Sequence, residues 1–156
     1  MTKAIWRNCN RFLTRRQCNC TPFRNKEGFC WTDINSTFLK ARLKDKGVFD
    51  VVSMTLFTQI SLPDWYFVCL INSTLMSLYV DNFINNTSHF QINDARQTPI
   101  VIPDRDTLKC LFEIFYQAQS IQRQMFNGTI LADNANKNLT GLQNHLETII
   151  NTLYMI

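Results

Sequence analysis

The sequence predicts an α+β fold: a small mixed β-sheet with a packed helix, followed by a C-terminal helical hairpin. Three observations carry this expectation. Short stretches with aromatic and β-branched residues and partial alternation dominate the first part of the chain. Longer stretches with apolar residues three and four apart follow them. The two kinds of element do not alternate as a βαβ repeat, which separates α+β from a doubly wound α/β sheet.

The strands come first. "GFCWTDI", "FLKARLK" and "VFDVVSMTLF" each mix alternating apolar positions with strand-favouring side chains, and "TPIVIP" is a short apolar run between prolines. Those prolines fit an edge strand or one with capped ends, because proline has no N–H for the ladder. In "FLKARLK" the period of two puts Lys40, Arg42 and Lys44 on one face and Leu39, Ala41 and Leu43 on the other, facing inward. Trp31 and Phe49 are expected in the core, since strand aromatics of a small domain are usually buried.

A first helix is expected to open at Pro63 and Asp64, which suit a first turn, and to continue through Trp65, Val68, Cys69, Asn72, Leu75, Met76, Tyr79 and Phe83 to near Asn85. A second starts with Asp104 or Asp106 as cap, runs through Leu108, Leu111, Phe112, Phe115, Ala118, Ile121 and Met125, and stops at Asn127-Gly128. A third carries Leu139, Leu142, Leu146, Ile149, Ile150 and Leu153. The polar "TILADNANKN" before it is expected to connect the last two as a hairpin. Within "NNTSHFQINDARQTPIVIP", Thr98 to Pro103 is expected to be a scaffold strand that anchors a polar connection from Asn85 to Gln97. The domain divisions expected are a basic segment 1–26, a domain 27–105 and a helical pair 106–156.

Composition narrows the functional classes. The chain has 156 residues, 46% of them hydrophobic and 18% charged, which fits a globular domain with a core. No apolar run is long enough to span a bilayer, and the basic start lacks the apolar centre of a signal peptide. Six irregularly spaced cysteines fit reduced thiols better than a disulfide scaffold, so a cytoplasmic protein is expected. The net charge of +4 hides an asymmetry: residues 1–46 sum to +8 and the remainder to −4. A basic part joined to an acidic one fits a phosphate-facing surface, as it also fits a solvated basic tail.

Several chemistries find no residues to carry them. The glycines Gly28, Gly47, Gly128 and Gly141 stand too far apart for a phosphate-cradling loop. No Asp or Glu is followed two positions later by Lys, as a common nuclease pattern requires, and no two prolines are adjacent. Cys9, Cys18, Cys20 and Cys30 lack the paired two-residue spacing of a zinc site, and neither His89 nor His145 has a second ligand at helical spacing. His145 fits a helix surface and His89, between Ser88 and Phe90, a loop near a partner.

In order along the chain, "EGFCWTDI", "FLKARLKDKGVFDVVSMTLF" and "WYFVCLINSTLMSLYVDNFINNTSHFQINDARQTPIVIP" resemble the C-terminal target recognition domain of type IIG restriction-modification enzymes and adenine-specific DNA methyltransferases, the TaqI-like specificity domains. Gly28 with Trp31, Phe49-Asp50-Val51, Ile71-Asn72-Ser73 and Pro99-Ile100 stand where that family has corresponding elements, and "GLQNHLETIINTLYMI" is similar to its terminal helix. The resemblance covers about Glu27 to Pro103. It implies a recognition domain detached from its catalytic domain, and so a chain that is not catalytic on its own and holds no cofactor. S-adenosylmethionine is implied for the missing or partner catalytic domain.

Under that resemblance double-stranded DNA is the expected partner. Lys and Arg supply affinity through phosphates and polar side chains supply specificity through base edges. The expected phosphate contacts are Arg24, Lys26, Lys40, Arg42 and Lys44, and the expected base-reading side chains are Asn86, Gln91, Asn93 and Arg96. Two other readings stand beside this one. The C-terminal helices could dock on a methyltransferase subunit, making the chain a protein-interaction module, or the chain could be an inactive remnant.

Overall fold

The structure is a computed structural model, and it describes residues 13–14, 28–34, 38–44, 53–58 and 61–155. The chain divides into two compact units, residues 1–102 and 103–156. The α+β class is as expected: unit one holds the sheet with its helices, and unit two is a helical hairpin.

Four strands form the sheet in the order β1-β4-β2-β3, with β1 at Leu13–Thr14, β2 at Gly28–Thr32, β3 at Ala41–Lys44 and β4 at Ser53–Thr58. Each described ladder is antiparallel. The central strand β2 pairs with β3 on one side, Trp31 opposite Ala41, and with β4 on the other, Trp31 opposite Met54. Four consecutive residues from Gly28 to Trp31 are buried, so both faces of β2 are covered.

One face of β2 meets α1, Asp64–Ile71, a helix buried from Tyr66 through Ile71. A helix apolar on all sides belongs inside a domain. Phe67 stacks on Phe29 with centroids 5.4 Å apart and planes within 5°, and Phe29 in turn lies 6.2 Å from Trp31. Truncating such a buried aromatic costs about 3–5 kcal/mol. Trp31 is in the core as expected, and its indole Nε1 donates to the Phe90 carbonyl at 2.8 Å. Phe49 lies outside the described residues. Cys69, in the same layer, is buried deeply enough to push its thiol up to about 12, so it behaves as a small apolar side chain.

The single helix expected from Pro63 to near Asn85 is two. α1 ends at Ile71, and α2, Thr74–Phe83, starts after Ser73, whose hydroxyl accepts from the Met76 N–H at 3.2 Å and donates to the Leu70 carbonyl at 2.7 Å. The break frees Asn72 to face the sheet. Its Oδ1 accepts from Ala41 N–H at 2.7 Å, and its Nδ2 donates to the Ala41 carbonyl at 2.9 Å. One α2 residue continues this contact, because Ser77 Oγ accepts from Leu39 N–H at 3.0 Å. Edge-strand groups left open by β2 are thereby satisfied by side chains, one way proteins close a sheet edge.

Two further expectations change after α2. The connection from Asn85 to Gln97 contains a one-turn helix, α3, Ile92–Ala95, with Ile92 and Ala95 buried. Asp94 favours it by accepting from Gln91 N–H at 2.8 Å across the first turn. The segment 98–103 is extended but forms no strand beyond a single bridge at Ile100. Pro99 and Pro103 remove the donors a ladder needs, and the segment is anchored by burial instead. Ile100 and Val101 are both buried, and the Tyr66 hydroxyl donates to the Val101 carbonyl at 2.6 Å.

Unit two is built from α4, Arg105–Phe126, and α5, Ala132–Tyr154. Asp104 caps α4 as expected, accepting from Thr107 N–H at 2.8 Å. The stop is also as expected: Gly128 adopts φ +69°, its N–H reaches the Met125 carbonyl, and Thr129 N–H reaches that of Gln124. That pair of bonds is the Schellman arrangement, and glycine takes its left-handed residue without a Cβ penalty. The connection is shorter than "TILADNANKN", since α5 begins at Ala132. Asp133 suits its first turn and Ala135 is fully buried. No helix among the described residues is long and apolar enough to cross a membrane.

Candidate nucleic-acid interface

The sheet register fixes where the cations of β3 lie. Arg42 pairs with Cys30 and Lys44 with Gly28, whereas Ala41 and Leu43 pair with Trp31 and Phe29. Residues directly opposite on paired strands share a face, so Arg42 and Lys44 stand on the face away from Phe29, Trp31 and α1. Lys40 and Arg42 are exposed and Lys44 is half-buried. Burial on the other face fades along the strand: Leu39 is buried, Ala41 half-buried, and Leu43, expected to face inward, is 37% exposed. The contacts with the helical layer through Ser77 and Asn72 are made at the Leu39 end, and the strand runs on past them at the sheet edge.

The loop after α2 is organised by its own amides. Asn85 Nδ2 donates to the His89 carbonyl at 2.8 Å and to Asp94 Oδ2 at 2.9 Å, while its Oδ1 accepts from Thr87 N–H at 2.9 Å. The last contact is an Asx turn, which holds the bend without help from neighbouring elements. The end of the loop is tied to the sheet. Phe90 N–H donates to the Asp33 carbonyl at 2.9 Å, Ile34 and His89 form a β-bridge, and the Phe90 ring packs 5.5 Å from Trp31.

His89 is oriented by Asp33, with Nδ1 to Oδ2 at 3.1 Å. A carboxylate only accepts, so Nδ1 carries the proton and Nε2 is directed elsewhere. The other oxygen, Asp33 Oδ1, is buried with no hydrogen-bond partner among the described residues. No local signal joins this pair in sequence, where the two residues are 56 positions apart. Only the pairing of the loop with the end of β2 brings them together.

Between the start of β3, α2 and the loop lies a half-open groove of about 440 Å³. Its apolar part includes Leu39, Val80 and Phe90, all buried, and Phe38 and Leu78, exposed at 47% and 53%. Its polar part includes Asp81 and the loop residues Asn86, Thr87, Ser88 and His89. Phe38, Leu78, Asp81 and the Asp33–His89 pair are the residues here that sequence patterns did not single out. Among the described residues, no group of three or more His, Cys, Asp or Glu is placed to hold a metal ion.

Of the base-reading residues expected, Asn86 lies in this groove and is exposed. Gln91 and Asn93 are exposed at the start of α3, and Arg96, its C-cap, is half-buried; none of the three lines the groove. Lys40 directly follows Leu39 and so stands beside the groove, with Arg42 beyond it. Arg24 and Lys26 lie outside the described residues. Compared with known proteins, the chain matches no family model and no curated protein.

Proposed function

We propose that the chain binds double-stranded DNA as the target recognition portion of an adenine-specific DNA methyltransferase or type IIG restriction-modification system, in the cytoplasm. Catalysis and S-adenosylmethionine belong to a separate domain or subunit. The observation that carries this reading is the juxtaposition at the head of β3. Exposed Lys40 and Arg42 lead directly away from a loop whose backbone is fixed by Asn85 while Asn86 is exposed to a ligand. Cations for phosphates next to a rigidly held set of amides is the arrangement that separates positioning from base reading.

The test is fluorescence anisotropy with a labelled duplex between 50 and 200 mM salt. Affinity is expected to fall steeply with salt, by a log–log slope of about 0.9 per phosphate contact. Lys40, Arg42 and Lys44 changed together to Glu should abolish binding. Affinity that ignores salt, or survives the triple change, overturns the proposal.

A second reading, docking of the helical pair on a methyltransferase subunit, is favoured by α4 rather than by the α5 residues expected. Leu146 and Ile150 of α5 are buried, whereas Phe112 and Tyr116 of α4 are exposed and stack 6.0 Å apart. Exposed aromatics are typical anchors of protein interfaces. Co-purification with a methyltransferase subunit should weaken on changing Tyr116→Ala if this face is used.

A further inference from the structure

We propose that the groove between Phe38 and the loop of residues 85–90 receives a nucleobase turned out of its helical stack. This rests on the DNA-binding reading and adds to it a specific pocket. At about 440 Å³ the groove is within the size range of small-ligand sites, and its buried Leu39, Val80 and Phe90 give it an apolar interior. Phe38 offers an exposed aromatic face on one wall, and every base has a π-face to lay against it.

The polar side of the groove matches the edge of a base. Asn86 supplies both a donor and an acceptor, Asp81 accepts from an amino group, and His89 presents Nε2 because Asp33 holds Nδ1. Charge then separates base from backbone. Asp81 disfavours a phosphate inside the groove, while Lys40 and Arg42, on the strand that continues from the Phe38-Leu39 wall, favour phosphates outside it. A paired base within a duplex keeps both faces stacked on its neighbours, so only an extruded base can meet Phe38 face to face.

Three duplexes of one sequence test this with the whole chain: fully matched, carrying a single bulged 2-aminopurine, and carrying an abasic bulge at the same position. The bulged base is expected to bind about tenfold more tightly than either of the others, with a change in 2-aminopurine fluorescence. Phe38→Ala, at an exposed position, should remove that preference and leave affinity for the matched duplex unchanged. Equal affinity for the three duplexes, or a Phe38→Ala loss that is the same for all, overturns the pocket while duplex binding stands. Absence of binding to every duplex overturns the DNA-binding reading itself, and the pocket with it.

Discussion

The side-chain amide of Asn72 grips both backbone groups of Ala41, accepting its N–H at 2.7 Å and donating to its carbonyl at 2.9 Å. A primary amide presents a donor and an acceptor side by side, as a neighbouring strand would, so Asn72 stands in for one at this point of the β3 edge. The contact also couples the helix break to the sheet, because Asn72 reaches Ala41 from the junction where α1 ends and α2 begins.

Replacing Asn72 by alanine is therefore expected to destabilise unit one by about 1–3 kcal/mol, the usual cost of stranding partly buried hydrogen-bonding groups. Asn72→Asp should also destabilise it, since a carboxylate still accepts from Ala41 N–H but sets an oxygen against the Ala41 carbonyl. Urea denaturation measures the loss, and hydrogen exchange should speed up at Ala41 before it does so at Phe29. Wild-type stability in both variants would remove the clamp from this account.

Tyr66 does the corresponding work for the segment that follows the loop. Its hydroxyl is fully buried and donates to the Val101 carbonyl at 2.6 Å, so Tyr66→Phe leaves that carbonyl without this donor while barely changing volume. A loss of about 1–3 kcal/mol is expected. The same variant should show raised protease sensitivity near Ile102, and a variant as stable and as resistant as the parent would contradict the anchoring role.

The places where sequence patterns succeeded and failed have a common physical basis. α4 is legible from end to end because its signals are local: Asp104 at the cap, apolar spacing through the helix and Gly128 at the left-handed stop. The break before Ser73 was hidden because apolar residues keep helical spacing on both sides of it, and only Asn72's bonds to a distant strand explain why it is there. "TPIVIP" suggests a strand by composition, but tertiary burial of Ile100 and Val101 holds it without a ladder. In the candidate site the cations and amides were legible as residue types. The groove was not, since Phe38, Asp81 and His89 meet only after the loop is tied back to Asp33.

Acid should act on unit two through Asp104. Accepting from the Thr107 backbone N–H, with a further contribution from its side chain, holds the Asp104 carboxyl below its ordinary value. A lowered folded pKa means that the contribution is fully present above the unfolded carboxylate range and is lost as pH falls through the folded value. Asp104→Asn keeps a capping oxygen but does not titrate. Thermal melts followed by far-UV circular dichroism should show parent and variant converging as pH drops below the usual carboxylate range. Parallel curves down to the acid limit would show that Asp104 contributes no pH-dependent stability.

Two neighbouring asparagines should separate loop structure from DNA contact. Asn85 uses both ends of its amide within the loop, whereas Asn86 is exposed in the groove. Asn85→Ala removes the Asx turn and two donated bonds, so it should destabilise unit one by about 1 kcal/mol or more and weaken DNA binding indirectly. Asn86→Ala should stay within about 0.5 kcal/mol of the parent, as exposed substitutions generally do, yet lower affinity for the bulged-base duplex by several-fold. Restoring a donor and an acceptor at the same place with Asn86→Gln should recover part of that affinity, which a purely steric effect of the alanine change would not allow. If Asn86→Ala costs stability while binding is untouched, the two roles are reversed, and the loop's exposed amide is a structural tie rather than a contact to DNA.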